Sequence, residues 1–320
     1  MKNNTKAEVK KTSIGGQALI EGVMMRGPQK TAMAVRHTSG EIRMDSWTNE
    51  VPERNKVFKL PFIRGIFNFI DSMRIGYKCL LRSAELSGLE DDIQDEEEVD
   101  EQKIEKNKKK TELLLKLLVP VAAALGIVLS IFLFTWLPTF LYGFLKRSVT
   151  YFDSRYLQAV FEGLLKIIIF LGYLSLVSFM KDIKRTFMYH GAEHKTIFCY
   201  ERGLELTIEN VSKQTRFHPR CGTSFIIIML LIGIFVSMFI PHTLNSFVRT
   251  GVKLLCLPVI VGIGYEALKL AGRKDNLFIR IFSAPGLWVQ RISTKEPTDD
   301  MIECAIRAFE SVVPEEEKTC

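Results

Sequence analysis

Leu117-Leu118-Val119-Pro120-Val121-Ala122-Ala123-Ala124-Leu125-Gly126-Ile127-Val128-Leu129-Ser130 opens a run that reaches Leu145 without a charged side chain. A helix needs about 20 apolar residues to cross a ~30 Å hydrocarbon layer, so this run predicts a membrane span. Cys221–Val248 is a second uncharged run and predicts another. Leu157–Met180 is apolar apart from Glu162 and Lys166, a carboxylate-before-lysine pair one helical turn apart that neutralises itself, and reads as a third. Val252–Ala271 carries Pro258, Glu266 and Lys269, and becomes a fourth span if Glu266 and Lys269 lie at the boundary or face a bundle interior.

Lysine and arginine set the expected orientation. The segment 181–223 holds eight, 146–156 three and 241–253 two, which puts the central segment in the cytoplasm by the positive-inside rule. Four spans then bring both termini to the same side. Residues 1–11 are polar and no apolar signal-peptide core follows them, so the expectation is a multi-pass protein of the cytoplasmic membrane. The net charge of +7 belongs with the membrane-flanking clusters, and nucleic acid is not an expected partner, since no basic stripe interleaved with aromatics occurs away from the apolar runs. Five of the six cysteines (Cys79, Cys199, Cys221, Cys304, Cys320) fall on the predicted cytosolic side and Cys256 in a span, so no disulfide framework is implied.

The expected fold is therefore a mainly α-helical integral membrane protein with four transmembrane helices, a small N-terminal α+β cytosolic unit and cytosolic amphipathic segments. Residues 1–12 read as disordered. Residues 13–89 form the N-terminal unit, with strands over Thr31–His37 and Glu41–Trp47 joined by Thr38-Ser39-Gly40 as a hairpin. An amphipathic helix then runs over Pro61–Glu85, with Arg74, Lys78 and Arg82 at four-residue steps. It suits a lipid headgroup surface or the core of that unit. Residues 90–112, nine acids in 90–101 answered by five lysines in 103–110, read as a solvated linker. The four-span membrane domain is 113–271, including a cytosolic His/Cys connection at 181–223. Residues 272–320 read as an interfacial segment broken at Ala284-Pro285-Gly286, then a helix that Thr298 can cap, with Ile302, Ile306, Phe309 and Val313 as its apolar stripe.

Chemistry concentrates in Tyr189-His190-Gly191-Ala192-Glu193-His194 and Arg216-Phe217-His218-Pro219-Arg220-Cys221-Gly222, which hold three of the five histidines. In a helix, His190 and His194 stack one turn apart with Glu193 between them in azimuth. The pattern H-x-x-E-H is that of the inverted zincins, in which two imidazoles hold zinc and the carboxylate takes a proton from water. His218 and Cys221 can complete a four-ligand set, which would make the site closed and structural. With three ligands the site stays open, and Glu193 is the candidate catalytic base. The bland alternative is that these are hydrogen-bonding residues beside a membrane, with Cys221 a small buried apolar group. Glu21 can approach the site or pair with Arg26; Glu266 can be a further ligand or pair with Lys269. His37 reads as a strand-surface residue and His242 as a loop residue.

The blocks Gly15-Gly16-Gln17-Ala18-Leu19-Ile20-Glu21-Gly22-Val23-Met24-Met25-Arg26-Gly27-Pro28, His190–His194, His218–Phe225 and Pro285-Gly286-Leu287-Trp288 together resemble the YqhQ-like family of bacterial membrane proteins. The resemblance runs from Ser13 to Val313. It implies a multi-span membrane fold, in a domain of unknown function labelled a predicted metal-dependent enzyme.

Three functions from different classes follow. The first is a membrane enzyme, a hydrolase or other acid-base catalyst, with zinc or another divalent metal at His190, His194, His218 and Cys221 and with Glu193 as base. The second is a non-enzymatic scaffold or regulator with a structural metal site or none, partnered by a membrane protein or a second copy of itself in the bilayer. Transport comes third, since no internal repeat is evident.

Overall fold

The computed structural model describes residues 12–49, 56–88, 121–148, 154–273 and 277–314. Most of the segment expected to be disordered and all of the charged linker lie outside these residues. The chain divides into two compact units.

The first unit, formed by 1–90, 174–228 and 262–320, is built on a four-stranded antiparallel sheet in the order β1-β2-β3-β4. The strands are β1 (Gly15–Leu19), β2 (Gly22–Arg26), β3 (Lys30–Arg36) and β4 (Ile42–Thr48). The expected hairpin is β3–β4, with Arg36 opposite Ile42. The glycine-punctuated motif before it forms a second hairpin, β1–β2, closed by Ile20-Glu21 between the paired Leu19 and Gly22. Glu21 adopts a left-handed φ of 49° in that turn.

Alternation along β2 and β3 sends side chains to opposite faces, and both faces are covered. Val23, Met25, Ala32 and Ala34 pack with Tyr189, Ala192, Met301, Ala305 and Phe309. These come from α4 (Lys181–Glu201) and α9 (Asp299–Glu310). Leu19, Met24, Met33 and Val35 pack on the other face with Cys79 and Ile75 of α1 (Ile63–Ser87). The helix α1 meets the sheet through a stripe of small residues, Gly76, Cys79, Ser83 and Ser87, while Ile70, Met73, Tyr77 and Leu81 stay exposed. Its large apolar side chains are therefore not its buried face.

The unit also holds α5 (Ile208–Ser212) and α8 (Leu277–Ser293). Pro285 lies inside α8, so the expected break at Ala284-Pro285-Gly286 is not there. In α9 the stripe Ile302, Ile306 and Phe309 is buried as expected, Val313 is buried just past the helix end, and Thr298 takes the N-cap position without a side-chain capping bond. Glu266 pairs with Arg64 at 2.5 Å rather than with Lys269.

The described residues of the second unit, 91–173 with 229–261, are mostly in apolar helices. Among the described residues, three helices are long and apolar enough to cross a membrane: α2 (Val121–Arg147, with a π-helical turn at Phe132–Trp136), α3 (Arg155–Val177) and Ser246–Leu270 of α7 (Ser246–Arg273). Leu125, Ile127, Val128, Leu164, Ile168 and Leu255 are exposed on them, as suits helices that associate with lipid. The run 221–248 behaves differently from expectation. Its helix, α6 (Gly222–Ser237), is shorter, and the chain turns at Ser237–Asn245 around Pro241. The run 252–271, broken by charges on paper, lies in a single long helix through Pro258.

Candidate metal centre

The centre lies within the first unit. His190, Glu193 and His194 share α4, as their spacing predicts, and their helix is held between β1 and α9. Gly16 on β1 makes room for Glu193: a Cβ there would sit 2.7 Å from the glutamate Cγ. Gly191 allows α4 to meet the segment after α8, since its Cβ would lie 2.1 Å from the Lys295 carbonyl. The two glycines thus fix the depth at which the histidines sit.

Each imidazole is tied by Nδ1 to a backbone carbonyl. His190 Nδ1 donates to Ser293 at 2.9 Å, and His194 Nδ1 donates to Arg216. A carbonyl only accepts, so in each neutral ring the proton is on Nδ1 and the lone pair on Nε2. His190 Nε2 lies 3.2 Å from Cys221 Sγ, and the rings of His190 and His194 are 4.4 Å apart. One ligand atom from each of His190, His194 and Cys221 falls within 4.8 Å of the other two.

Cys221 stands immediately before α6, and Thr223 Oγ1 lies 3.2 Å from its sulfur. Burial opposes ionisation of the thiol, yet His194 and Thr223 outweigh it and hold its pKa below the ordinary value. Burial also lowers the pKa of His194, against the pull of Cys221. Burial drives the Glu193 carboxyl up to about 7, against the pull of His190, with the nearby Cys221 adding to the rise.

His218 is not part of the three-residue group. Its ring is 5.6 Å from that of His194, but Nε2 faces Glu201 at 3.8 Å and makes no hydrogen bond among the described residues. Burial lowers its pKa despite Glu201. Glu21 is also placed otherwise than expected: it pairs with Arg185 and accepts from Tyr189 Oη at 3.3 Å, not from Arg26.

Several contributors carried no sequence signal that singled them out. Gln290, fully buried, accepts from the His218 N–H and donates to the His218 carbonyl, both at 2.7 Å, and so clamps the turn that delivers Cys221. Gly286 lets α8 come this close, because a Cβ there would sit 2.6 Å from Ser224. Glu201 accepts from Arg220 and from the Thr12 N–H at 3.0 Å, tying the same turn to the N-terminal segment.

Residues 60–315 match the family described as "Protein of unknown function (DUF1385)". The chain belongs to this family. Its relative "Uncharacterized protein YqhQ" from Bacillus subtilis (strain 168) is 39% identical over 304 residues, which is 93% of this chain and 92% of that protein. No solved structure matches this chain. The relative covers more of the chain than the part matched by the family, so the YqhQ-like resemblance read from the four motif blocks holds over nearly the whole chain.

Proposed function

We propose that this family member is a multi-pass protein of the cytoplasmic membrane and a metal-dependent enzyme of the hydrolytic, acid-base kind, its centre facing the cytoplasm at the bilayer surface. His190 Nε2, His194 Nε2 and Cys221 Sγ would hold a zinc-type divalent ion. Two imidazoles and a thiol are the donor set such a borderline-soft ion prefers, and ligand atoms around tetrahedral zinc stand roughly 3.3–3.6 Å apart, within the 4.8 Å spread seen here. The observation that carries the reading is the pair of Nδ1–carbonyl bonds, which aim both lone pairs at one thiol as in zinc sites generally.

When bound, such an ion polarises a substrate oxygen and acidifies water. The chain's own part is the base. Glu193 sits beside His190 and Cys221, anchored by the Gly16 backbone, where it can accept a proton from water and return it to a leaving group. His218, paired with Glu201, borders the centre, so three protein ligands leave a fourth position open, the arrangement of catalytic zinc.

The membrane part of the proposal is four spans, with α6 the shortest and both termini cytoplasmic, on the charge asymmetry of the connections. A second reading, a structural metal site in a membrane scaffold, draws support from burial: His194 and Glu193 are only 1% and 5% exposed. Glu193→Gln separates the two. An enzyme loses its function in cells with metal content intact; a scaffold keeps it.

A further inference from the structure

The second unit buries a charged cluster far along the chain from the metal centre, and its charges do not balance. Glu162 on α3 bonds Lys253 Nζ at 2.5 Å and Arg249 Nε at 3.4 Å, both on α7, and Lys166 lies one turn away on its own helix within electrostatic range. All four are held by apolar helices; Glu162 and Arg249 are 1% and 0% exposed and Lys253 6%, while Lys166 is half-buried. Three cations thus surround one carboxylate. A net buried charge in such a setting is unstable unless something compensates it. Arg249 also lies in the first turn of α7, at the positive end of that helix's dipole, the unfavourable end for a cation.

Two buried polar atoms mark where compensation is lacking. Arg249 spends Nη1 on the carbonyls of Ile240 and Pro241 at 2.9 and 2.8 Å, while Nη2 has no partner among the described residues. Gln158 donates Nε2 to Glu162 Oε1 at 2.9 Å, while its own Oε1 has none. Both side chains bond the same Glu162 oxygen. What is missing is a group that brings negative charge and an acceptor to Arg249 and a donor to Gln158.

We propose that Arg249, Lys253, Lys166 and Gln158 form a binding site for a hydroxyl-bearing oxyanion of the phosphate type. Inorganic phosphate and the headgroup of an anionic phospholipid share this chemistry, and both would satisfy the two idle atoms while bringing the cluster toward neutrality. Glu162 is its competitor: it occupies the cations and weakens anion binding.

The test uses the detergent-purified full-length chain. Thermal unfolding is followed with added phosphatidylglycerol, with phosphatidylcholine, and with inorganic phosphate against chloride at matched ionic strength. Stabilisation by phosphatidylglycerol alone identifies the headgroup as the source; stabilisation by inorganic phosphate as well identifies a free oxyanion. Arg249→Gln weakens the apparent affinity about tenfold, and Lys253→Gln gives the same loss if Arg249→Gln does not fold. Glu162→Gln tightens binding, whereas a purely structural salt bridge has every variant respond to anions as the wild type does. An equal response to phosphatidylcholine, no response to any anion, or identical affinities in wild type, Lys253→Gln and Glu162→Gln would overturn the proposal.

Discussion

His190 Nδ1 and the Ser293 carbonyl meet at 2.9 Å across 103 residues of chain. This one bond decides which nitrogen of His190 is free to face Cys221, and it joins α4 to the end of α8. The candidate centre is thus assembled by tertiary packing, and substitutions that never touch a ligand should disturb it.

Gly191→Ala is the sharpest such case. The added methyl would meet the Lys295 backbone oxygen at 2.1 Å, and backbone cannot step aside cheaply. The expected cost is about 2–3 kcal/mol, read by denaturant unfolding, together with weakened metal retention because Ser293 is two residues from the displaced carbonyl.

Gln290→Leu keeps the side chain's bulk and removes both bonds to His218. The buried His218 N–H is then left without a partner, and its carbonyl keeps only a long bond from the Cys221 N–H at 3.4 Å, at about 1–3 kcal/mol. Metal affinity should fall although Gln290 is no ligand. Unchanged stability and metal content would show that the clamp does not position Cys221.

Glu201 gives a pH dependence. Burial works against its ionisation, but His218, Arg220 and the Thr12 N–H outweigh burial and hold its pKa below the usual carboxylate range. The unfolded chain, with an ordinary value near 4.3, then binds the extra proton first as pH falls. The stabilisation is complete above that value and is lost as pH drops toward the folded pKa. Glu201→Gln should lower stability at pH 7 by about 2–3 kcal/mol and flatten the acid limb of a stability-against-pH curve.

Thiol reactivity should separate the cysteines. Burial pushes Cys79, Cys199 and Cys304 up to about 11, leaving ~0.1% thiolate at pH 8. Cys221 is held below its ordinary value. Iodoacetamide at pH 8 should modify Cys221 before those three in folded, metal-stripped protein, and added zinc should protect it. Modification of Cys199 or Cys304 ahead of Cys221 would run against this ordering.

Sequence alone located the pieces of this architecture better than their joints. The helical placing of His190, Glu193 and His194 is legible because a three- and four-residue spacing has only one geometric meaning on a helix. The β3–β4 hairpin is legible from its turn residues. The β1–β2 hairpin is harder, because Glu21 occupies a left-handed position that a glycine would have advertised. The length of the helix in 221–248 is not legible, because absence of charge does not guarantee one continuous helix, and Pro241 turns the chain. The roles of Gln290, Ser293 and Arg216 are not local properties. They come from backbone groups or an amide brought in by packing, and no periodicity announces a carbonyl that orients a distant imidazole.

The most direct test of the central claim is metal content per chain of the full-length protein purified without chelators, for wild type, His190→Ala, His194→Ala, Cys221→Ala and His218→Ala. The account predicts near-stoichiometric zinc or a similar divalent ion in wild type, its loss in the first three variants, and substantial retention in His218→Ala. Absence of metal from the folded wild type, or retention in His190→Ala and Cys221→Ala, would contradict it.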